Sequence, residues 1–429
     1  MEKVKEIPID KQLDLLPQLI DFSRSFEHFS ILTSNQYPDP YGRYELLAAF
    51  GGYRLFSFPD KAFDNLKQVH QETPTWLFGH LGYELKDQIE DLSSRHKANF
   101  DFGEMAFFEP AYLVLQARGG EKLELYCNFE VDPQPLLKWS ENFGQAVTFT
   151  FEAIPKMKPL MSKAEYLETL EELKAEIQYG NVYELNYCQS FQAEKVELDP
   201  YALFHQLNQR SPMPFACFYK KQDDFLIGAS PERYLCKREE QLYSQPIKGT
   251  YPRGKTEAED ERLKQELKAD LKEQTENVMI VDLVRNDLSR TAAKSSVKVE
   301  ELFGVYTFPQ VHQLISTVSS KLKEGIHFTD ALKNSFPMGS MTGAPKVSAM
   351  KLIDKNEASR RELYSGSVGY IDPYGSFDFN VVIRSLFYQA QRKFLSVSVG
   401  GAITDQSVPE KEYQECLLKA KAIFEQQKS

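Results

Sequence analysis

The sequence predicts an α+β fold in which large antiparallel sheets are flanked by helices. Strand-like and helix-like segments come in runs without regular β-α-β alternation, which disfavours a doubly wound parallel sheet. The 429 residues include 30 Phe and 22 Tyr, so the predicted layers can bury a large core. Hydrophobic residues make up 42% and charged residues 26%, a balance typical of a globular protein and not of a disordered one.

Residues 1–155 read as short strands and loops, with a hairpin turn at Gly119-Gly120. Pro155–Pro159 is the best candidate linker, because two prolines with lysines between them can neither continue a helix nor enter a central strand. We therefore expect an N-terminal part, 1–155, and a second region, 156–429. The second region opens with a helix that starts at a capping box, Ser162 with Glu165, and stops before Gly180.

The remaining elements follow from periodicity and turn residues. A strand is expected after the first helix, then a long charged helix that becomes apolar, then three strands around a turn, and finally a closing helix. Their expected bounds are 182–191, 257–286, 366–371, 377–386, 394–403 and 410–426.

The charge and the cysteines restrict the partners and the compartment. With 51 Lys and Arg against 62 Asp and Glu, the net charge is −11 and no basic stripe is present, so neither nucleic acid nor an anionic membrane is an expected partner. Five widely spaced cysteines without a CxxC pair argue against a disulfide framework and a zinc site. The N-terminus has no apolar signal segment, and we expect a cytoplasmic protein.

Two pairs of glutamates three residues apart are candidate metal ligands. Glu273 with Glu276 and Glu412 with Glu415 would each lie on one face of a helix, and four convergent carboxylates suit a hard cation such as Mg²⁺. The alternative is a pair of solvated helix faces. Glu276 favours the metal site, because it leads directly into an apolar run and so lies near the edge of the core.

Four further segments could carry chemistry. Lys248 lies in a loop rich in Pro and Gly and would be a nucleophile if its surroundings lowered its pKa; otherwise it is a solvated lysine. Glu232 follows a strand and could be a general acid or the partner of its neighbour Arg233. Thr342 is expected to cap a helix whose free N–H groups could bind an anion. His312 is either a satisfied core histidine or a catalytic one, and no Ser-His-Asp set or glutaminase cysteine motif is evident.

Five motifs in the second region resemble those of the chorismate-utilising enzymes, in the order and spacing of that family. The resemblance covers roughly residues 156–426. The motifs are 246–250 (PIKGT) with 252–254 (PRG), 279–288 (MIVDLVRNDL), 339–346 (GSMTGAPK), 364–370 (YSGSVGY) and 409–415 (PEKEYQE).

The resemblance implies two large, roughly orthogonal antiparallel sheets packed as a sandwich with helices outside, with the N-terminal part completing the sheets. Within the family, anthranilate synthases typically carry Ala where this chain has Lys248. The chain is instead similar to the branch formed by component I of aminodeoxychorismate synthase.

By the same resemblance, Lys248 attacks chorismate at C2 while Glu232 protonates the departing C4 hydroxyl, and ammonia then enters at C4 and expels the lysine. Glu276 and Glu415, with Glu273 and Glu412, are the implied Mg²⁺ ligands. His312 is implied to lie beside the departing C4 group. The implied substrate-binding residues are Thr342, Gly343, Lys346, Tyr364, Arg384, Gly401 and Lys419.

Three positions depart from the family pattern. Glu184 stands where ammonia-using members usually have Gln and water-using members have Lys, so it could orient ammonium or take its proton. In Val399–Gly401, only Gly401 matches the usual Gly-Ala-Gly. The segment Phe29–Asn35 only loosely resembles the family's tryptophan pocket, and we expect no tryptophan feedback.

The leading hypothesis is an enzyme that aminates chorismate with free ammonia or with ammonia from a separate glutamine amidotransferase subunit. One alternative is anthranilate synthase component I, which would eliminate pyruvate from the aminated intermediate. Another is a catalytically silent subunit that binds chorismate without turnover.

Overall fold

The computed structural model describes residues 1–9 and 14–424. Within those ranges the strands are β1 (Glu2–Pro8), β2 (His28–Thr33), β3 (Tyr44–Ser57), β4 (Leu77–Leu81), β5 (Met105–Ala117), β6 (Lys122–Cys127), β7 (Lys158–Pro159), β8 (Glu184–Ala193), β9 (Phe215–Lys221), β10 (Asp224–Ser230), β11 (Arg233–Arg238), β12 (Gln241–Gln245), β13 (Ile247–Pro252), β14 (Lys298–Thr307), β15 (Val311–Lys321), β16 (Gly343–Ala344), β17 (Ser367–Ile371), β18 (Phe377–Asn380), β19 (Ser385–Gln389) and β20 (Phe394–Ile403). The helices are α1 (Leu16–Ser23), α2 (Ala62–Glu72), α3 (Lys86–Ile89), α4 (Gln134–Glu141), α5 (Lys163–Gln178), α6 (Pro200–Arg210), α7 (Glu257–Ala269), α8 (Leu271–Ser289), α9 (Phe328–Ser335), α10 (Lys346–Asn356) and α11 (Pro409–Phe424).

The strands pair antiparallel in one continuous network, and the long antiparallel pair of β3 and β5 divides it into two arms. One arm runs β8, β20, β19, β10, β9, β2, β3. The other runs β5, β4, β17, β18, β11, β12, β15, with β13 and β14 also paired to β15. The predicted α+β class with large antiparallel sheets is confirmed.

Two hydrophobic clusters fill the fold. The first joins strands of the β8 arm to helices α5 and α6, with Leu173, Phe204 and Val397 fully buried. The second joins the other arm to α8 and α9, with Ile280 and Leu332 buried. Helix α8 packs against the sheet through apolar residues such as Ile280 and Leu288. Its buried residues also include the polar side chains Glu276, Asn277 and Asp287.

The N-terminal strands belong to the same sheets as the later ones. Strand β2 pairs with β9, and β4 pairs with β17, so residues before 155 lie between strands that follow it. Lys158 and Pro159 of the candidate linker form the short strand β7, which pairs with the outer end of β8. The predicted hairpin at Gly119-Gly120 is present between β5 and β6.

Helix α5 begins at the predicted capping box. The Ser162 hydroxyl accepts a hydrogen bond from the backbone N–H of Glu165, whose carboxylate accepts one from the N–H of Ser162. Gly180 follows with φ of +82°, a conformation that favours glycine at the end of a helix.

The expected helix over 257–286 is wrong in one respect, because the chain breaks it at Asp270. The Asp270 carboxylate accepts hydrogen bonds from the N–H groups of Lys272 and Glu273 and so caps α8. An N-cap residue takes an extended conformation that a continuous helix does not allow. The break starts a new helix at Leu271, immediately before the first glutamate pair.

The expected strand 377–386 is also interrupted. Residues 381–384 leave the ladder between β18 and β19, and Arg384 has a φ of +52°, which is unusual for a residue other than glycine. The expected strands 366–371 and 394–403 are present as β17 and β20. The closing helix is α11, and the expected residues 425 and 426 lie outside the described part of the chain.

All five cysteines are buried free thiols. Across the described residues, no helix combines the length and apolarity needed to cross a membrane.

Candidate active site

Lys248 and Glu184 form a buried ion pair between two strands. Lys248 lies on β13 and Glu184 begins β8, and the Lys248 Nζ donates to Glu184 Oε1 over 2.6 Å. The side chains are 10% and 1% exposed. Glu184 Oε2 is buried and has no hydrogen-bond partner. The contact of a lysine ammonium with a carboxylate that has one free oxygen is the central feature of the site.

The surroundings of Lys248 raise its pKa above the usual value. Burial alone would lower the pKa, but the carboxylates of Glu184, Glu276 and Glu232 together outweigh burial, and Glu184 has the largest share among them. A nucleophilic amine requires a pKa lowered towards neutrality, and Lys248 does not have one. A proton has to leave this ammonium before the nitrogen can attack a substrate.

Glu232 is a buried carboxylic acid beside this pair. It lies between β10 and β11, is 3% exposed, and its Oε1 accepts a hydrogen bond of 2.6 Å from the Ser340 hydroxyl. Burial raises its pKa to about 7, although Ser340 and the charges of Lys248 and Arg384 oppose the shift. A carboxyl group that holds a proton near neutral pH can act as a general acid.

Arg384 is a partly buried cation available to an anionic ligand. Among the described residues its guanidinium forms no hydrogen bond or ion pair, and its exposure is intermediate. Burial lowers its pKa to about 10, which the charge of Glu232 only partly offsets. Its position at the break between β18 and β19 turns the side chain out of the strand ladder, and a guanidinium can bind a carboxylate through two hydrogen bonds.

The two glutamate pairs lie on α8 and α11 and share one lysine. Lys272 interacts electrostatically with all four carboxylates, and its Nζ is 3.7 Å from Glu276 Oε1. Burial raises the pKa of Glu276 to about 7 and also raises the pKa values of Glu273 and Glu412. The Lys419 ammonium, 2.7 Å away, lowers the pKa of Glu415.

These carboxylates fit a hard cation in chemistry. Among the described residues, however, no three Asp, Glu, His or Cys side chains are arranged to hold a metal ion. The lysine ammonium groups neutralise the acids instead. A metal ion held by all four carboxylates would need Lys272 to move away and the two helices to bring their carboxylates together.

The segment 340–346 does not cap α10 in the predicted way. Gly343 and Ala344 pair with Leu185 and Glu184, which draws this segment into an extended conformation, so the helix begins only at Lys346 and Pro345 is its N-cap. The Thr342 hydroxyl donates instead to the carbonyl of Met338.

Gly343 and Lys346 stabilise the backbone beside the pair of Lys248 and Glu184. Gly343 has φ of +152°, and a Cβ there would lie 2.2 Å from the carbonyl oxygen of Glu184, so only glycine fits. The Lys346 Nζ donates to Asp287 over 2.5 Å and to the carbonyls of Ser335 and Pro337. All three donors of its ammonium are in use, and this lysine holds α10 against α8.

His312 is a satisfied buried histidine. Its Nδ1 is 3.0 Å from the Thr307 hydroxyl and its Nε2 is 2.9 Å from Asp260. Asp260 lies on α7, and no hydrogen bond connects His312 to Lys248 or Glu232. On the other face of β15, the Gln313 amide donates to Thr250 and leaves its Oε1 buried without a partner.

The remaining predicted substrate residues lie around β8 and β20. The Tyr364 hydroxyl accepts from Cys188 Sγ at 3.6 Å, and the Lys419 Nζ donates to the carbonyl of Gly400. A Cβ at Gly401 would meet only Glu412 Oε2, at 3.6 Å, whereas one at Gly400 would approach Cys188 Sγ to 2.7 Å. The sterically required glycine of this pair is therefore Gly400.

Three supporting residues were not predicted. Ser340 holds Glu232, and Lys272 neutralises the acidic cluster. Arg361, buried on every side, donates to the carbonyls of Met341 and Asn186 and pairs with Glu357 at 2.6 Å, which fixes the loop before Gly343 to β8. The spacing of Glu357 and Arg361 by four residues was the available signal, but such pairs usually lie on solvated helix faces.

The sequence matches the chorismate binding enzyme family over residues 47–425. The chain belongs to this family. The match begins more than a hundred residues before the first recognised motif, so most of the N-terminal part is included as well.

Individual family members agree with this assignment. The chain is 37% identical to aminodeoxychorismate synthase component 1 of Klebsiella aerogenes over 353 residues, which is 82% of this chain and 77% of that protein. It is 34% identical to anthranilate synthase component 1 of Bacillus subtilis, over 74% of this chain and 62% of that protein. The crystal structure of anthranilate synthase component I from Streptococcus pneumoniae superposes with a TM-score of 0.78 at 25% identity, covering 90% of this chain and 93% of that one.

Proposed function

We propose that the protein is an aminodeoxychorismate synthase component I, which replaces the C4 hydroxyl of chorismate by ammonia to give 4-amino-4-deoxychorismate. The observation that carries this proposal is the buried contact between Lys248 and Glu184, with Glu232 beside it, whose pKa burial raises to about 7. The similarity to the Klebsiella aerogenes protein supports the choice of product.

The side chains divide the reaction into two displacements. Lys248 attacks C2 as a neutral amine, and Glu232 donates its proton to the C4 oxygen, which leaves as water because hydroxide is a poor leaving group. Ammonia then forms the bond to C4, and the lysine nitrogen leaves C2 with the electron pair. Arg384 binds a substrate carboxylate. The Tyr364 hydroxyl lies beside Cys188 of β8, the strand that begins with Glu184.

Glu276 and Glu415, with Glu273 and Glu412, are the residues that would hold Mg²⁺. A bound Mg²⁺ would neutralise the ring carboxylate of a dianionic substrate that otherwise faces four glutamates. Lys272 lies beside the buried Glu276 and Lys419 beside the exposed Glu415, and both lysine side chains reach solvent and can turn outwards.

The ammonia comes from solution or from a separate glutamine amidotransferase subunit. The name component 1 of the relatives implies a second component for those proteins. Such a pair would supply an early step of p-aminobenzoate and folate synthesis in the cytoplasm.

The test is to incubate the purified protein with chorismate, Mg²⁺ and ammonium, and to identify the product by mass before and after addition of an aminodeoxychorismate lyase. We expect an aminated product that retains pyruvate and that the lyase converts to p-aminobenzoate. Anthranilate would assign the chain to the branch of the Bacillus subtilis relative, and binding of chorismate without turnover would indicate a silent subunit.

The covalent route has its own test in Lys248→Ala. We expect this variant to lose ammonia-dependent turnover while it still binds chorismate, and we expect mass spectrometry of the quenched wild-type protein to detect an adduct on the peptide that contains Lys248. Full turnover by the variant, with no adduct on the wild type, would show that covalent catalysis is wrong.

A further inference from the structure

Glu184 and Lys248 make a contact that the proposed reaction needs and that no other carboxylate of the site makes. The Lys248 ammonium has to lose a proton before it can attack, and Glu184 Oε1 lies 2.6 Å from its nitrogen. Glu276 and Glu232 affect Lys248 only through their charges, and neither forms a hydrogen bond or ion pair with it. The proton therefore has one acceptor within reach.

We propose that Glu184 is the general base that accepts the proton of Lys248 before the amine attacks the substrate. This inference rests on the proposed function, since it concerns the first displacement of that reaction. At this position family members usually have Gln, whose amide cannot accept a proton. The carboxylate of Glu184 can, which gives the position a catalytic role in this chain.

The free oxygen of Glu184 lets the carboxyl group act without disturbing its surroundings. Oε2 is buried and has no hydrogen-bond partner, so the group can turn about its Cγ–Cδ bond without breaking another contact. The new O–H can then move away from the amine, whose lone pair becomes free to point at C2. Gly343 packs against the backbone of Glu184 and holds the residue in place during this change.

The protons balance over the cycle. Glu184 takes one proton from Lys248, and Glu232 gives one to the departing oxygen, so water leaves as the bond from Lys248 to C2 forms. When ammonia has attacked C4, the lysine nitrogen leaves as a neutral amine and recovers its proton from Glu184. The new ammonium at C4 loses a proton, which restores Glu232.

The burial of the pair also favours transfer of the proton from Lys248 to Glu184. Transfer of the proton converts two opposite charges into two neutral groups, so the desolvation of the pair by a bound substrate favours the transfer. The charged groups that face the pair are Glu276 and Glu273 from α8, Glu232 from the β10–β11 connection, and Glu415 from α11.

The experiment measures kcat and KM for Glu184→Gln between pH 6.5 and 9.5 at saturating Mg²⁺ and ammonia. We expect kcat near pH 7 to fall roughly 100-fold or more, the usual contribution of a general base, with little change in the KM for chorismate. The loss should shrink as the pH rises, since bulk solvent then deprotonates Lys248 and the carboxylate that raised its pKa is gone. Glu109→Gln, which neutralises a buried strand glutamate far from the site, should keep the wild-type profile.

A kcat for Glu184→Gln equal to that of the wild type at pH 7, or a loss that is the same at every pH, would overturn the proposal. Glu184→Asp keeps the base one methylene further away and should recover part of kcat at pH 7 with a profile like that of the wild type. If Glu184→Gln does not fold, Glu184→Asp still tests the proposal. A kcat that rises more steeply with pH in Glu184→Asp than in the wild type would contradict it. Absence of aminated product from the wild type would instead refute the proposed function.

Discussion

Arg384 should contribute to substrate binding without contributing to stability. We expect Arg384→Gln to raise the KM for chorismate, because the guanidinium is available to a substrate carboxylate and has no partner among the described residues. A hydrogen bond to a charged group is worth about 1.5–3 kcal/mol. At 1.4 kcal/mol for each factor of ten, this range corresponds to a KM higher by about 10- to 150-fold.

The stability of the same variant provides the second half of the test. An unpaired buried charge costs free energy, so its removal should leave the free energy of unfolding unchanged or higher. Lys346→Gln is the matched control. It leaves the buried Asp287 carboxylate without its cation and should cost about 3 kcal/mol or more.

The assay combines steady-state kinetics at varied chorismate, with ammonium and Mg²⁺ saturating, and urea unfolding of the ligand-free proteins. An unchanged KM for Arg384→Gln would refute the assignment of this residue to the substrate. A loss of stability as large as that of Lys346→Gln would show that the guanidinium has a partner in the folded protein.

Further predictions concern Glu232, Arg233 and the two glutamate pairs. Because burial raises the pKa of Glu232 to about 7, its protonated form is lost above that pH, and kcat/KM of the wild type should decline there. Glu232→Gln should reduce kcat roughly 100-fold or more. Both effects are measured in pH-rate profiles. The folded protein also binds the Glu232 proton more tightly than the unfolded chain does, so the free energy of unfolding of the wild type should fall as the pH rises from about 4.5 past 7. The contribution of Glu232 to this fall should vanish in Glu232→Gln. If urea unfolding gave the same pH dependence for both proteins, burial of Glu232 would not be the cause. Arg233→Gln should lower the free energy of unfolding by about 1.5–3 kcal/mol, because it removes the charged hydrogen bonds to Asp378 over 2.9 Å and 3.0 Å while Arg238 still pairs with that carboxylate. A loss below about 1 kcal/mol in urea unfolding would refute this. Glu276→Gln with Glu415→Gln should raise the Mg²⁺ concentration for half-maximal turnover at least tenfold, and an unchanged metal requirement would place the metal elsewhere.

Local signals in the sequence predicted the elements whose cause is local. The capping box at Ser162 and the glycine at 180 define α5, because each acts through backbone groups within a few residues. The break at Asp270 was missed, since the periodic charges of α7 and α8 continue across it and Asp in a helical pattern is not a strong stop.

The candidate site was predicted in composition and less well in arrangement. Lys248 and Glu232 meet in one buried site as the motifs indicated. Lys346 and His312, by contrast, are engaged by Asp287 and Asp260, which are distant in sequence. The sequence cannot show whether a cation has an internal partner, because that depends on contacts made only when helices and strands pack.

The motifs and their order by themselves indicated the family, because each motif is a local string of side-chain types that the sequence shows directly. The tertiary structure decided the state of those residues. The pKa of Lys248 is raised and not lowered because Glu184, 64 residues earlier, lies 2.6 Å from it, and the pKa of Glu232 is raised because the fold buries it. Charge and desolvation act through space, so the pKa of each of these groups is fixed only in the folded chain.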